Sequence, residues 1–346
     1  MDTIAELIHQ KAIELGYEKC GIIPVEMMSE YEDKLNQRTQ KVPESQAFYQ
    51  GQQRLIKIKE EFPWAKSVVV LTVPYSKYHV PESMSGHIAK HYLMDIRINE
   101  ETKEFQNSIV LEQYFKELGM RSATNRKFGI VGLRWAAMQA GLGIIRRNNF
   151  FYSESGSWVV IEAFLVDYEM KLIEATKIAP CPKSCNRCIK ACPTASLNEA
   201  YTMNPLKCVS FLTTFGGRDL LKESLATQFG EWIYGCDICQ DVCPMNCGKW
   251  IGKEEFPHLE ELLDILIAEN ILKMDEKTYK ESIQPKFFYL TPDELWKWQV
   301  NVLNYMDNNF DIKYKSSIIE SCNSKYSKVR EMATAICRKR ELKKNF

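Results

Sequence analysis

The sequence lacks a net charge, because 45 Lys and Arg residues balance 45 Asp and Glu residues over 346 positions. Electrostatics alone therefore do not draw the whole chain to nucleic acid or to a membrane surface, although charge can be segregated locally. No uncharged run reaches about 18 residues, the length that a membrane-spanning helix requires. The amino terminus has neither the basic nor the apolar region of a signal peptide. We therefore expect a cytoplasmic protein that makes no contact with a membrane.

Histidine is scarce, with five residues, whereas cysteine is abundant, with twelve. Seven cysteines fall into two runs that each end in Cys-Pro, and an eighth lies between the runs. In such runs three thiolates ligate one [4Fe–4S] cube and the fourth ligates the neighbouring cube. The predicted ligands of the first cluster are Cys181, Cys185, Cys188 and Cys243, and those of the second are Cys192, Cys208, Cys236 and Cys239. One spacing departs from the usual pattern, since three residues rather than two separate the first two cysteines.

Zinc ligation and disulfide bonding both fit the cysteine pattern less well. Structural zinc usually takes two Cys-x2-Cys pairs per ion and has no use for paired Cys-Pro ends. Disulfide bonds are unfavourable in the compartment expected here. Four cysteines lie outside the predicted clusters and are expected to ligate nothing, namely Cys20, Cys247, Cys322 and Cys337.

Three regions separate along the chain. Residues 1–174 alternate helical and strand signals, with a capping box at Thr3 and Glu6 and strands over 68–73 and 157–166, and predict an α/β domain. Residues 175–252 hold the cysteine runs. Residues 253–346 are expected to be largely helical.

Local signals place further helices. In the cysteine region, Asn204 followed by Pro205 predicts a short helix that carries Cys208 and ends near Gly216. In the last region, helices are expected over the apolar stripe 259–267, from 291 and over 329–336.

Several further motifs follow one another along the chain. They are Ala140-Gly141-Leu142-Gly143, Arg147-Asn148-Asn149, Gly156-Ser157-Trp158 and, between the cysteine runs, Lys207-Cys208-Val209-Ser210-Phe211-Leu212-Thr213. In this order, and together with the Cys-Pro runs, they resemble the motifs of the epoxyqueuosine reductase family over nearly the whole chain. The resemblance implies a nitroreductase-like cobalamin-binding α/β domain, a ferredoxin-like domain with two [4Fe–4S] clusters and a helical HEAT-like region. It also implies that electrons pass from an external ferredoxin or flavodoxin through the two clusters to the cobalt of cobalamin.

The resemblance assigns cofactor binding to a set of residues in the first region, namely Arg134, Gly141, Gly143, Arg147, Asn148, Gly156, Ser157 and Trp158. The three glycines would let the backbone approach a large flat cofactor, because no side chain stands in the way. A helix C-cap and a turn would also account for glycine at these positions.

The chain departs from the family at the expected proton donor. An acidic residue precedes the arginine of the helix that leads into Ala-Gly-Leu-Gly, and here that position is Leu133. Two further departures are Arg146, where a glycine is expected, and Arg97, in a segment where a histidine is expected. Weak candidates for a replacement acid are Tyr75, His91, Tyr92 and Tyr152, although a packed aromatic or a surface histidine would also account for each.

Three functions remain open from the sequence. The first is a corrinoid and iron–sulfur reductase that acts on a substrate other than epoxyqueuosine. The second is a true epoxyqueuosine reductase that acts on tRNA with a relocated acid, which the ten basic against three acidic residues between 313 and 344 would suit. The third is a non-catalytic electron carrier or corrinoid-reducing protein, for which the loss of the acid has no consequence.

Overall fold

The computed structural model describes residues 3–214 and 220–342. Four strands form an antiparallel sheet in the order β1-β2-β7-β4, and two pairs of short strands lie outside it. In chain order the strands are β1 (Lys19–Pro24), β2 (Ser67–Pro74), β3 (Tyr78–His79), β4 (Ser122–Thr124), β5 (Ile144–Ile145), β6 (Phe151–Tyr152), β7 (Val159–Val166) and β8 (Glu254–Glu255).

Helices cover both faces of this sheet, which explains why β2 is apolar without alternation. In chain order they are α1 (Ile4–Glu14), α2 (Glu30–Lys41), α3 (Gln46–Gln50), α4 (Ile58–Glu61), α5 (Lys90–Leu93), α6 (Lys103–Glu117), α7 (Leu133–Gln139), α8 (Arg187–Ala191), α9 (Val209–Thr213), α10 (Ile238–Asp241), α11 (Ala268–Lys273), α12 (Glu276–Thr278), α13 (Leu295–Asn308), α14 (Lys315–Ser321) and α15 (Ser327–Lys339). Short 3-10 helices connect many of them, and a π-helix spans Tyr279–Ile283.

Each face of the sheet has its own core. On one face Trp135 and Ala136 of α7 pack with Val68 and Val70 of β2. On the other face α1 and α6 bury their apolar side chains against Val69 and neighbouring strand residues. The α/β character predicted for the first region is therefore observed.

The largest core cluster is shared among the three predicted regions. It contains Trp158 of the first, Tyr234 of the second and Trp298 of the third. Tyr234 and Trp298 stack with ring centroids 4.7 Å apart. A buried ion pair also crosses regions, since Lys286 Nζ lies 3.2 Å from Asp95 Oδ2. The boundaries near 174 and 252, like the nitroreductase-like, ferredoxin-like and HEAT-like descriptions, stay predictions.

Local signals were accurate at several helix starts. The Thr3 backbone donates to Glu6 Oε2 at 2.6 Å and Glu6 donates to Thr3 Oγ1 at 3.3 Å, which is the predicted capping box. The helix α15 covers the predicted stripe 329–336. Asn204 caps a turn, as its side chain accepts from the Leu206 backbone at 3.0 Å.

Three of these predictions need correction. The stripe 259–267 is not an α-helix, because only a 3-10 turn, Glu260–Leu262, forms there. Successive turns bury Leu259, Leu262 and Leu266, whereas Ile267 is exposed. The helix expected from 291 begins at Leu295. Cys208 lies between the 3-10 helix Pro205–Lys207 and α9 rather than within one helix. The expected helix end at Gly216 lies outside the described residues. Among the residues that are described, no helix is long and apolar enough to cross a membrane.

Candidate functional site

The eight cysteines of the two runs separate into two groups of four. Cys181, Cys185, Cys188 and Cys243 line one small cavity. Cys192, Cys208, Cys236 and Cys239 line the wall of a much larger cavity, of about 490 Å³. These are the two sets that the crossover of ligands predicts, and we name them the first and second cysteine groups.

Burial and mutual repulsion both act against bare thiolates in these groups. Burial raises the pKa of Cys188, and the neighbouring thiols of the first group raise it further. Burial likewise raises the pKa of Cys239, to which the other three members of the second group add. A metal that binds the thiolates reverses this effect, since ligation requires deprotonated sulfur. Across residues 3–214 and 220–342, no three His, Cys, Asp or Glu side chains converge on a site for a single metal ion.

The large cavity lies where the three regions meet. Its wall is mostly apolar and aromatic, with Arg97, Arg134, Asn148, Asn149 and Ser157 among its polar members. No carboxylate is found among the described residues that line it. A cavity of this size, with few polar groups on an apolar wall, is typical of a site for a cofactor or small molecule.

Leu133 lies in the wall of this cavity at the first position of α7. Its predecessor Gly132 allows close packing, because a Cβ there would lie 2.5 Å from the ring of Tyr31. Leu133 also borders a small neighbouring pocket, which is lined by the carboxylates Glu104 and Glu162. The position expected to hold the family's acid therefore faces the cavity, and the carboxylates of that pocket lie outside the cavity wall.

The four candidate acids do not all reach the cavity. Tyr75, His91 and Tyr92 line it, whereas Tyr152 does not. Tyr152 is instead buried, and its hydroxyl accepts a hydrogen bond from Asn148 Nδ2 at 2.9 Å. Burial is the main cause that raises the pKa of Tyr152, and the nearby Cys243 raises it further.

Protonation further narrows the candidates. Burial, with Arg97 beside it, lowers the pKa of His91 to about 3. The imidazole is therefore neutral near pH 7, and the assignment of His91 as the acid stays a prediction. Burial raises the pKa of both Tyr75 and Tyr92, so each keeps its hydroxyl proton near neutral pH. The Tyr92 hydroxyl lies 3.0 Å from Ser210 Oγ.

Some of the predicted cofactor-binding residues line the large cavity, and others lie elsewhere. Arg134, Asn148 and Ser157 line the large cavity, and Arg134 Nη1 donates to the backbone carbonyl of Asn149. Arg147 lines the small cavity of the first cysteine group. Trp158 is buried at 2% exposure and packs edge-on against Trp250 at 5.3 Å.

The three glycines lie against other parts of the protein, and their role in cofactor binding stays a prediction. A Cβ on Gly141 would lie 1.7 Å from the carbonyl oxygen of Glu174, and one on Gly143 would lie 2.1 Å from that of Tyr152. A Cβ on Gly156 would lie 2.4 Å from Asn246 Oδ1. These glycines permit close packing of protein on protein, and none of them lines the large cavity.

The motif residues around Gly156 hold the cysteine region in place. The Ser157 backbone donates to Asn246 Oδ1 at 2.9 Å, and the Ser157 hydroxyl donates to Gln240 Oε1 at 2.8 Å. Asn148 Nδ2 also donates to the carbonyl of Cys239 at 3.1 Å. Side chains expected to bind a cofactor thus fix the segment that carries three of the eight cysteines.

The two arginines that depart from the family lie at different sites. Arg146 is 2% exposed, and its Nη1 lies 3.6 Å from Cys181 Sγ in the first cysteine group. Arg97 lines the large cavity and donates to the Tyr289 hydroxyl at 3.1 Å. The two departures therefore do not share one pocket.

Several residues of the cavity carried no sequence signal. They come from the polar stretch before β2 and from the last region, and include Tyr31, Phe48, Gln52 and Tyr289. Tyr289 packs edge-on against Tyr92 with ring centroids 5.6 Å apart. Only the folding of distant segments brings these side chains together.

Outside the two groups, Cys322 of α14 and Cys337 of α15 lie with their Sγ atoms 3.7 Å apart. Cys20 is buried and Cys247 is exposed. Neither cavity that holds a cysteine group is lined by any of these four.

Comparison with known proteins agrees with this arrangement. Residues 181–246 match the family model described as a 4Fe-4S double cluster binding domain, which supports two iron–sulfur clusters. A protein of Prochlorococcus marinus named epoxyqueuosine reductase is 36% identical over 172 residues, which is 49% of this chain and 53% of that relative. That alignment spans only about half of the relative.

A longer match covers most of the chain. A Cellulophaga algicola protein with the same name is 27% identical over 288 residues, or 80% of this chain and 88% of the relative. The fold is similar to that in a crystal structure of epoxyqueuosine reductase with an epoxyqueuosine-modified stem loop of tyrosine tRNA. The TM-score is 0.76 at 22% sequence identity, and the alignment covers 96% of this chain and 88% of the reductase.

Proposed function

Because the chain belongs to the epoxyqueuosine reductase-like family, we propose that it is a corrinoid- and iron–sulfur-dependent reductase whose substrate is not epoxyqueuosine. The observation that carries this proposal is the position of the second cysteine group in the wall of the large cavity. A cluster held there would lie directly beside whatever the cavity binds. The first group, in a separate small cavity, would supply that cluster with electrons.

The residues of the cavity suit cobalamin, a large ring with an apolar face and amide groups at its edge. Aromatic and branched side chains supply apolar wall, including Phe150, Val159 and Val160. Asn149 Nδ2 is buried without a hydrogen-bond partner, and Asn149 lines the cavity. Such an unsatisfied donor is costly unless a bound group accepts from it.

Arg134, Asn148 and Asn149 would hold the polar edge of the corrinoid, and the apolar wall would cover its face. When bound, the corrinoid supplies a cobalt centre that can take up low-potential electrons and transfer them to a substrate. The role of the chain is to exclude water, position both partners and deliver a proton. The hydroxyls of Tyr75 and Tyr92, which line the cavity together with the second cysteine group, would supply this proton.

The proposal that the substrate is not epoxyqueuosine rests on the absence of a carboxylate among the described residues of the cavity wall. General acid catalysis contributes about 10²–10⁴-fold to a rate, and Leu133 cannot provide it. Arg97 adds a positive charge to the same wall, which favours a substrate that carries negative charge. Because tRNA is itself anionic, only the missing carboxylate points away from epoxyqueuosine and toward a different reducible molecule.

A true epoxyqueuosine reductase with a tyrosine donor is the second candidate. It is favoured by the solved structure of similar fold that holds a modified tRNA stem loop. A simple electron carrier explains the cysteine groups, but it gives no reason for a cavity of about 490 Å³ next to one of them.

The test compares the wild type with Leu133→Asp on tRNA that contains epoxyqueuosine, with a chemical reductant as the electron source. We expect wild-type turnover at background and measurable turnover in Leu133→Asp, because the carboxyl group restores a proton donor at the cavity wall. Leu133→Asn is the matched control, since it has the same shape and polarity without the acid. Robust turnover by the wild type would contradict the proposed substrate assignment.

A further inference from the structure

Charge is segregated around the first cysteine run although the whole chain is neutral. Between 175 and 198 the sequence contains Lys177, Lys183, Arg187 and Lys190 but no Asp or Glu. All four basic side chains are exposed. Arg187 and Lys190 lie three positions apart on α8, a spacing that places both on one side of the helix. We call Lys183, Arg187 and Lys190 the basic rim.

The small cavity beneath this rim is also basic. Arg146, Arg147 and Arg187 line it together with the first cysteine group, and no carboxylate is found among its lining residues. Arg147 Nη2 donates to the carbonyl of Lys183 at 2.9 Å, which ties the cavity wall to the rim.

Arg146 is the buried member of this set. Its Nη2 donates to the carbonyl of Ala179 at 2.7 Å, and its Nη1 approaches Cys181 Sγ. Its Nε is buried with no hydrogen-bond partner, and no ion pair joins it to a carboxylate in the described parts of the chain. A buried cation is costly without an anion. The anion available is a cluster held by four thiolates, whose net charge is negative.

The second cysteine group has a mixed electrostatic setting. Asp237, which follows Cys236, is buried, but Lys90 Nζ lies 3.6 Å from its Oδ2 and the Lys90 backbone donates to the same oxygen at 2.7 Å. Positive charge beside a cluster favours its reduced form. Because Arg146 lies beside the first group without a carboxylate partner, a cluster on the first group is suited to receive electrons at the surface.

We propose that the basic rim is the docking face for an acidic one-electron carrier protein, and that electrons enter through a cluster on the first cysteine group. This inference rests on the proposed function, because it requires both clusters. In each transfer the carrier loses one electron and the cluster gains it, from [4Fe–4S]²⁺ to [4Fe–4S]⁺, with no bond made or broken. A carrier with acidic side chains around its redox centre complements the rim, and such complementarity accelerates encounter more than it strengthens binding.

The experiment measures how fast the hydroquinone form of flavodoxin, an acidic carrier, reduces the clusters in anaerobic stopped flow. The rim variant is Lys183→Gln/Lys190→Gln, which keeps Arg187 in the wall of the small cavity. The matched control is Lys273→Gln/Lys277→Gln, which removes two exposed positive charges from the helical region. At low salt we expect the rim variant to be slower by about tenfold or more, within the range that electrostatic steering spans. The control should keep the wild-type rate.

High salt should bring all three proteins to a similar rate, because the screening length shortens to about 3 Å at 1 M. Reduction by dithionite, iron content and the electron paramagnetic resonance of the clusters should be the same in the rim variant and the wild type. Equal slowing of both variants, or an unchanged rate in the rim variant, would overturn the docking proposal while the clusters remain. Loss of binding to a tRNA probe without any change in flavodoxin reduction would assign the rim to RNA instead. A wild type without two clusters would refute the proposed function itself.

Discussion

At the scale of single residues, sequence spacing was sufficient to sort the cysteines but not to explain the glycines. In such runs the first thiolates ligate one cube, and the cysteine that precedes the proline ligates the neighbouring cube. The structure groups the eight cysteines in the same way. The neighbours of Gly141 and Gly156 are Glu174 and Asn246, which are distant in sequence. No local pattern could have identified contacts of that kind.

The departure at Leu133 has a clear physical meaning once the cavity is known. Leu133 faces the cavity, and the described wall contributes tyrosine hydroxyls rather than carboxylates. The sequence identified the missing acid, but only the fold shows which hydroxyls remain beside the cysteines.

A pH-dependent stability follows from His91. The pKa of His91 in the folded chain is about 3, against 6.5 in the unfolded chain. Between these pH values the unfolded state therefore binds more protons than the folded state. The contribution of His91 to the free energy of unfolding is complete above pH 6.5 and declines as the pH falls. Because His91 lines an open cavity, we expect a loss of roughly 1–2 kcal/mol from this residue between pH 7.5 and pH 5.

Urea denaturation of His91→Phe and of the wild type at both pH values tests this expectation. The variant should lose less stability than the wild type on acidification. His79→Phe, at a side chain that is 56% exposed, is the control and should follow the wild type. Identical acid sensitivity in His91→Phe and the wild type would show that His91 is not held neutral.

At the scale of elements, a capping box and a continuous apolar run predicted the secondary structure correctly, whereas an apolar stripe alone did not. The capping box of α1 and the apolar run of β2 agree with the sequence prediction. The helix predicted over 259–267 does not form, because the same spacing of apolar residues also suits a series of tight turns that pack against a core. The helix α7 ends at Gln139 with Ala140 as its C-cap, and the chain then turns back toward Glu174 through Gly141, which has a φ of +75°.

This turn allows a matched comparison of two glycines that follow helices. Gly141→Ala would combine a positive φ with a Cβ only 1.7 Å from the Glu174 carbonyl oxygen. Gly16→Ala would have a φ of +91° but nothing within 4 Å. We expect Gly16→Ala to cost about 1 kcal/mol from backbone strain alone, and Gly141→Ala to cost more than about 3 kcal/mol or prevent folding, because backbone must move.

Thermal denaturation followed by circular dichroism measures this difference. If the two variants melted within a few degrees of each other, the close approach of the 140–143 turn to the 172–174 segment would be wrong. A stable Gly141→Ala protein that retained iron but failed to bind cobalamin would instead support a direct contact between this glycine and the cofactor.

At the scale of the whole molecule, the site belongs to no single region. The cavity takes walls from the α/β region, from the cysteine region and, through Tyr289, from the helical end of the chain. The shared core explains why sequence boundaries alone did not locate it, since Trp158, Tyr234 and Trp298 pack in one cluster. An interior that is continuous across the regions holds the second cysteine group rigidly against the cavity.

The most direct test of this account is the iron and cobalt content of one preparation, measured by inductively coupled plasma mass spectrometry. The protein is reconstituted anaerobically, incubated with cobalamin and desalted. We predict about eight irons per chain, as two cubes require, and one cobalt. Cys208→Ala should lose about four irons, Cys322→Ala should lose none, and Gln52→Trp, which narrows the cavity, should lower cobalt without lowering iron. Four irons, stoichiometric zinc, or two full clusters with no cobalt would contradict the account.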